Sequence, residues 1–173
     1  MDYQIRVVQS EDVALLRPLR LAALRGDPDA FLMTPEAEIA QTDESVAARI
    51  KPTHDSFIIG AFASEGAMIG MVGAHRDSKE KLRHSMDVWG TYVTPAARGL
   101  GVCAAMMRAL VTQARACGGV QCLKLGVIDG NMPALKSYES LGFKTFATEP
   151  MFMRVANGTI AAQHMMIYEM GSS

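Results

Sequence analysis

The sequence predicts a mixed α/β layered fold in a single domain over residues 1–173. Three observations carry that expectation. The chain is 49% hydrophobic and 20% charged, the balance of one globular unit long enough to bury a full core. Its apolar pattern switches repeatedly between the helical repeat and the strand repeat. Short turns rich in Gly and Pro separate the segments, and no linker, internal repeat or block of like charge divides them.

Taken in order, Ile5, Val7 and Val8 open a short strand. Ser10 and Asp12 offer caps for a helical stripe through Val13, Leu16, Leu21 and Leu24, which Pro18 is expected to bend or break. Gly26-Asp27-Pro28 marks its stop. Thr34-Pro35 reads as a cap followed by proline at the first helical position, starting one amphipathic helix over 35–50 through Ile39, Val46 and Ile50. The period then changes. Ser56–Ala63 and Ala67–His75, joined by Ser64-Glu65-Gly66, read as a hairpin, and Met86–Val93 as a third strand after a polar loop. A helix over Leu100–Cys117 ends at Gly118-Gly119. A strand over Cys122–Val127, a helix over Asn131–Leu141 and a strand over Phe143–Thr148 follow. Asn157-Gly158 is a hairpin turn leading into Ile160–Met170.

Composition excludes several classes of function. Seventeen basic and eighteen acidic side chains leave a net charge of −1, no electrostatic footprint for nucleic acid or an anionic membrane. No apolar stretch approaches the ~20 residues of a spanning helix, and the acid-containing N-terminus lacks the apolar region of a signal peptide. Three cysteines, Cys103, Cys117 and Cys122, without a CxxC pair, read as free thiols and point to a cytoplasmic setting. His54, His75, His84 and His164 are scattered without metal-ligand spacing, so no metal is expected. The Met-rich run Met165–Met170 is read as an edge strand, which leaves a homodimer open.

The informative stretch is Trp89–Cys103. A strand runs through Tyr92, Val93 and Thr94 into a loop with Gly99 and Gly101, and a helix begins there. The first amides of a helix lack internal partners and sit at the positive end of its dipole, so a glycine-lined helix start can cradle a phosphate. A P-loop would need Lys and Ser or Thr after its last glycine, where Val102 and Cys103 stand. A dinucleotide loop would need a third glycine, and Ala104 breaks that spacing.

A second constellation follows at Asn131, Ala134, Tyr138, Gly142 and Phe143. With Arg98-Gly99-Leu100-Gly101-Val102-Cys103, it resembles the GCN5-related N-acetyltransferase (GNAT) superfamily. That family's acetyl-CoA motif is Arg or Gln, two residues, Gly, one residue, then Gly or Ala. Cys103 departs from the last position but is small. The resemblance implies a mostly antiparallel sheet of about seven strands, helices on both faces, and a splay between the fourth and fifth strands. It also implies acetyl-CoA as co-substrate. The pantetheine arm would lie along Tyr92, Val93 and Thr94. The amides of Arg98, Gly99, Leu100, Gly101, Val102, Cys103 and Ala104 would hold the diphosphate, and Asn131 and Tyr138 would line the thioester end.

The reaction the resemblance implies is acetyl transfer to a primary amine of a small molecule or peptide by direct attack. Such transfer needs a neutral amine, a stabilised oxyanion and a proton for the departing thiolate. Tyr138 matches the family's general acid, since a phenol with a pKa near ~10 holds its proton at neutral pH. An amide near Val93 is the implied oxyanion donor. Asp87 is the first candidate for a base; strict strand alternation places it on one face with Trp89, Thr91 and Val93. His75, His84 and Glu36 are weaker candidates, and water remains open as the base. Arg17, Arg20 and the segment Asp27–Phe31 lie where the family's variable first helices cover the acceptor. A silent acyl-CoA sensor on the same fold is the alternative, because fold alone does not fix function.

Overall fold

Apolar residues and glycine fill positions 57–63 and 67–74 without polar alternation, and that pattern requires cover on both faces of a sheet. The computed structural model, which describes residues 2–171, shows that cover. Seven strands form one sheet: β1 (Tyr3–Val7), β2 (Ser56–Ala63), β3 (Met68–Arg76), β4 (Ser85–Val93), β5 (Cys122–Ile128), β6 (Lys144–Arg154) and β7 (Ile160–Glu169). Their order is β1-β2-β3-β4-β5-β7-β6. Every neighbouring pair is antiparallel except β4 and β5, which run parallel.

Alternate residues of β2 feed two cores. Phe57, Ile59 and Ala61 pack with Met106, Met107 and Leu110 of α4 (Val102–Ala116) and with Tyr138 of α5 (Met132–Ser140). Ile58 and Phe62 face the opposite way. They pack with Leu16, Leu19 and Ala23 of α1 (Val13–Gly26) and with Val46 and Ile50 of α3 (Asp43–Ile50). Each buried Val, Leu, Ile, Phe or Met among them contributes roughly 1.5–3 kcal/mol of transfer free energy.

Four expectations change. Pro18 sits inside an unbroken α1. Its missing donor would serve the carbonyl of Ala14, and both residues lie on the exposed face, where water can take that carbonyl. The stretch 35–50 is two helices, α2 (Pro35–Ile39) and α3, because Thr42 supplies a second cap. The Ser45 amide donates to Thr42 Oγ1 at 3.2 Å, as the Ala37 amide does to Thr34 Oγ1 at 3.3 Å. The strand after Phe143 extends to Arg154 rather than Thr148. Finally, β7 is no edge strand: it lies between β5 and β6, and Met165, Met166 and Ile167 are paired on both sides.

Candidate active site

The site begins where two strands part. Parallel pairing of β4 with β5 covers only Ser85, Met86 and Asp87 against Cys122, Leu123 and Lys124. Beyond Asp87 the strands diverge, and β4 has no ladder partner on that side. Gly90 deepens the effect. It adopts φ 65°, and the pairing with β3 jumps from Gly73–Trp89 to Met71–Tyr92, so β4 carries one extra residue. Strict alternation therefore fails. Trp89 and Tyr92 pack toward α1, while Val88 and Val93 pack toward α4.

Between β4 and the first turns of α4 and α5 the splay opens into a cleft of about 550 Å³. At its mouth Gly99 and Gly101 have φ 77° and 78°, conformations that side chains strain. Gly101 is the N-cap of α4 and offers no side chain to its amides; the first helical bond runs from the Ala105 amide to the Gly101 carbonyl at 3.0 Å. The amides of Val102, Cys103 and Ala104 thus precede any intrahelical partner, at the positive end of the dipole. Free amides, a side-chain-free cap and an unpaired strand edge fit a ligand with a diphosphate and an amide-bearing arm.

Arg98 frames this mouth. Its Nε donates to the Val93 carbonyl at 3.1 Å and its Nη2 to Asp27 at 2.6 Å, and its guanidinium stands 5.7 Å from the Tyr92 ring centre. Asn131 caps α5, accepting the Ala134 amide at 3.2 Å, which fixes the helix that carries Tyr138. Tyr138 is buried at 8% exposure with Phe143 edge-on at 5.8 Å. Burial pushes its phenol up to about 12, against the opposing pull of the Thr91 hydroxyl. The group therefore keeps its proton through the physiological range. Burial also raises the Cys103 thiol, so this cysteine is a poor nucleophile.

A second cleft of about 360 Å³ opens on the α1 side, walled by Phe31, Met33, Trp89, Phe152 and Met153. The Ala156 amide, beside the β6–β7 turn, donates to Asp29 at 2.6 Å and ties that hairpin to the Asp27–Phe31 segment. A narrow space of about 90 Å³ lies between the strands. It shares Thr91, Asn131 and Tyr138 with the first cleft and Trp89, Gly90 and Gly126 with the second. The two clefts therefore meet at a neck beside Tyr138.

Residues 23–143 match the model of the acetyltransferase (GNAT) family. The chain belongs to the GNAT acetyltransferase family. Solved structures agree on the fold. A GNAT-family acetyltransferase from Streptococcus pneumoniae superposes with a TM-score of 0.85 at 20% identity, over 97% of this chain and 99% of that one. A phosphinothricin acetyltransferase of the GNAT superfamily from Sinorhizobium meliloti, in complex with acetyl-CoA, gives 0.83 at 18% identity over 99% and 90%. A GCN5-related N-acetyltransferase from Kribbella flavida gives 0.80 at 21% over 96% and 97%. Comparison with curated protein sequences finds no match.

Most residues singled out from the sequence fall in the first cleft of this GNAT fold. Tyr92, Val93, Arg98, Gly99, Gly101, Val102, Cys103, Ala104, Asn131 and Tyr138 all line it. Thr94 does not; its amide is spent on the Ile69 carbonyl at 2.9 Å. Leu100 points to solvent. Asp87 lines neither cleft nor the neck. It sits where β4 and β5 are still paired, is exposed, and faces His75 at 3.8 Å. His84 and Glu36 are also exposed. Among the described residues no group of His, Cys, Asp and Glu could hold a metal ion, and no helix is long and apolar enough to cross a membrane.

Sequence reasoning named Trp89 and Arg20 but missed Gly90 and what holds the other two in place. Gly90 looks like any strand glycine until the register shows the extra residue. Trp89 owes its place to Gly73 on β3. The buried pair Arg20–Glu38, closed by Nε to Oε2 at 3.0 Å, joins α1 to α2 across eighteen residues, and only its apolar flanks hint at burial.

Proposed function

We propose that this chain is an acetyl-CoA-dependent N-acetyltransferase that moves an acetyl group to a primary amine of a small molecule or peptide, with both substrates bound at once. One observation carries the reading: two clefts of different lining, divided by Ala30 and Phe31, meet at a neck lined by a buried, protonated tyrosine. A ternary complex needs that arrangement, and a binding module does not.

Val102, Cys103 and Ala104 would hold the diphosphate through their amides, with Gly99 and Gly101 keeping its approach clear. The unpaired edge of β4 at Thr91–Val93 would take the pantetheine amides. Bound there, acetyl-CoA supplies the activated acetyl group. The acceptor nitrogen comes through the second cleft and forms the new N–C bond as the C–S bond breaks; Tyr138 gives its proton to the departing sulfur, and the proton the new amide nitrogen sheds restores the phenol through water. The neck lining includes no Asp, Glu or His, so the amine enters already neutral, its proton lost to water.

The experiment is thiol release from acetyl-CoA across a panel of amines, with calorimetric acetyl-CoA binding measured in parallel. Turnover that falls on Tyr138→Phe supports the proposal. Tight binding without turnover on any amine would leave a silent acyl-CoA module instead.

A further inference from the structure

We propose that Arg20 makes the second cleft a receptor for amines that carry a carboxylate beside the nitrogen, that is, for α-amino acids with an apolar side chain. The inference rests on the acetyltransferase reading above and names its acceptor.

Arg20 lies on α1 with its side chain only 10% exposed, and it lines the second cleft. A guanidinium has five donors. Here Nε is bonded to Glu38, Nη2 has only the Met33 sulfur at 3.8 Å, and Nη1 has no partner. A buried donor without an acceptor is costly, and a ligand oxygen would satisfy it. Charge points the same way. Fully buried Glu38 is faced by Arg20 and, at 3.7 Å, by Arg49, so two cations share one carboxylate.

The surroundings define the rest of the ligand. A Cβ on Gly90 would stand 3.5 Å from Nη1, so this glycine keeps open the space between the guanidinium and the neck. In an α-amino acid a single carbon separates amine from carboxylate. Seating the carboxylate on Arg20 therefore brings the amine to Gly90, at the entrance to Tyr138. Phe31, Met33, Phe152 and Met153 wall the remaining space with apolar surface. The cleft lining has no acidic residue, so nothing there would hold the second charge of a polyamine or diamine.

The test strips the carboxylate from the substrate before touching the protein. L-Methionine, L-leucine and L-phenylalanine are compared with their amides and with the corresponding amines that lack the carboxyl group. Acetylation rates are followed by thiol release, and binding to the free protein by calorimetry. The expected result is a loss of about 100-fold in kcat/KM on removing the carboxylate, with a parallel loss of binding. Because Arg20 alone cannot be removed without stranding Glu38, the protein variant is Arg20→Met with Glu38→Leu. It should melt cooperatively, bind acetyl-CoA as before, and turn over acid and amide at similar rates. Arg20→Lys should retain part of the preference. Equal or better turnover of the amides and amines, or an acid-to-amide ratio unmoved in the double variant, overturns the proposal. Carboxylate-dependent amino-acid binding without acetyl-CoA binding would preserve it and sink the acetyltransferase reading. Acetyl-CoA binding with no amine accepted would sink both.

Discussion

The Trp89 ring lies against Gly73 on the neighbouring strand, so close that a Cβ on Gly73 would fall 2.3 Å from the indole. The two are directly paired across β3 and β4, and the Arg20 guanidinium stands 5.7 Å from the indole ring centre. Gly73 thus sets the floor of the acceptor cleft from the opposite strand. Gly73→Ala must displace the ring, at a cost of about 1–3 kcal/mol by overpacking. Urea unfolding will show that loss. The acceptor KM should rise several-fold while the acetyl-CoA KM holds. Trp89 is the single tryptophan, so its fluorescence reports the displacement directly.

Tyr138→Phe removes the proton donor and should lower kcat by about 100-fold with acetyl-CoA affinity intact. Its pH signature is independent of activity. Burial raises the folded-state value to about 12, above the ordinary value near 10. The stabilising contribution is complete below pH ~10 and is lost as pH rises through ~12, since only the unfolded chain then ionises readily. Urea melts at pH 9 and pH 11.5 should show a decline in the parent protein that is smaller in Tyr138→Phe.

With no carboxylate or imidazole at the neck, the acidic limb of the rate profile belongs to the acceptor. Two acceptors whose amines differ by one pKa unit should give kcat/KM profiles displaced by about one unit. A limb fixed at one pH for both acceptors would reveal a protein base.

The first cleft was legible because its geometry is local. Gly99 and Gly101 are required by positive φ within a single loop, and Asn131 caps the helix that carries Tyr138, so a short stretch of sequence holds each whole device. The second cleft depends on long-range relations. Gly90 matters through a register against β3, Arg20 through Glu38 on another helix, and Trp89 through a glycine sixteen residues earlier. The misplaced edge has the same origin: β7 inserts between β5 and β6, and no periodicity encodes strand order. Thr42 was legible in principle, since Thr42-Asp43-Glu44 repeats the cap signal of Thr34, but the continuous apolar stripe masked it.

Gly101→Ala isolates the diphosphate grip. Alanine at φ 78° is strained by about 1–2 kcal/mol and shifts the amides of α4's first turn. The acetyl-CoA Kd should weaken about 10-fold. S-Acetylpantetheine has no diphosphate, so both proteins should use it equally; a matching loss with that donor would mean the variant had damaged the neck rather than the cradle.

Asp27 and Arg98 form a pair at 2.6 Å across the mouth of the first cleft, with side chains 40% and 50% exposed. Exposed pairs contribute little to stability, so Asp27→Asn should barely move Tm. Its effect on ligand binding is larger in relative terms. Asp27 neutralises the one arginine beside the amide cradle and places a negative charge where an anionic ligand must arrive. Removing that charge while Arg98 keeps its bond to the Val93 carbonyl leaves a cation facing the cleft. Acetyl-CoA should then bind about 3- to 10-fold more tightly at low ionic strength, and the gain should vanish near 0.5 M salt as the charges are screened. Calorimetry at two salt concentrations checks both halves. Weaker binding in Asp27→Asn at low salt would show instead that the pair holds the Asp27–Phe31 segment in place for the ligand.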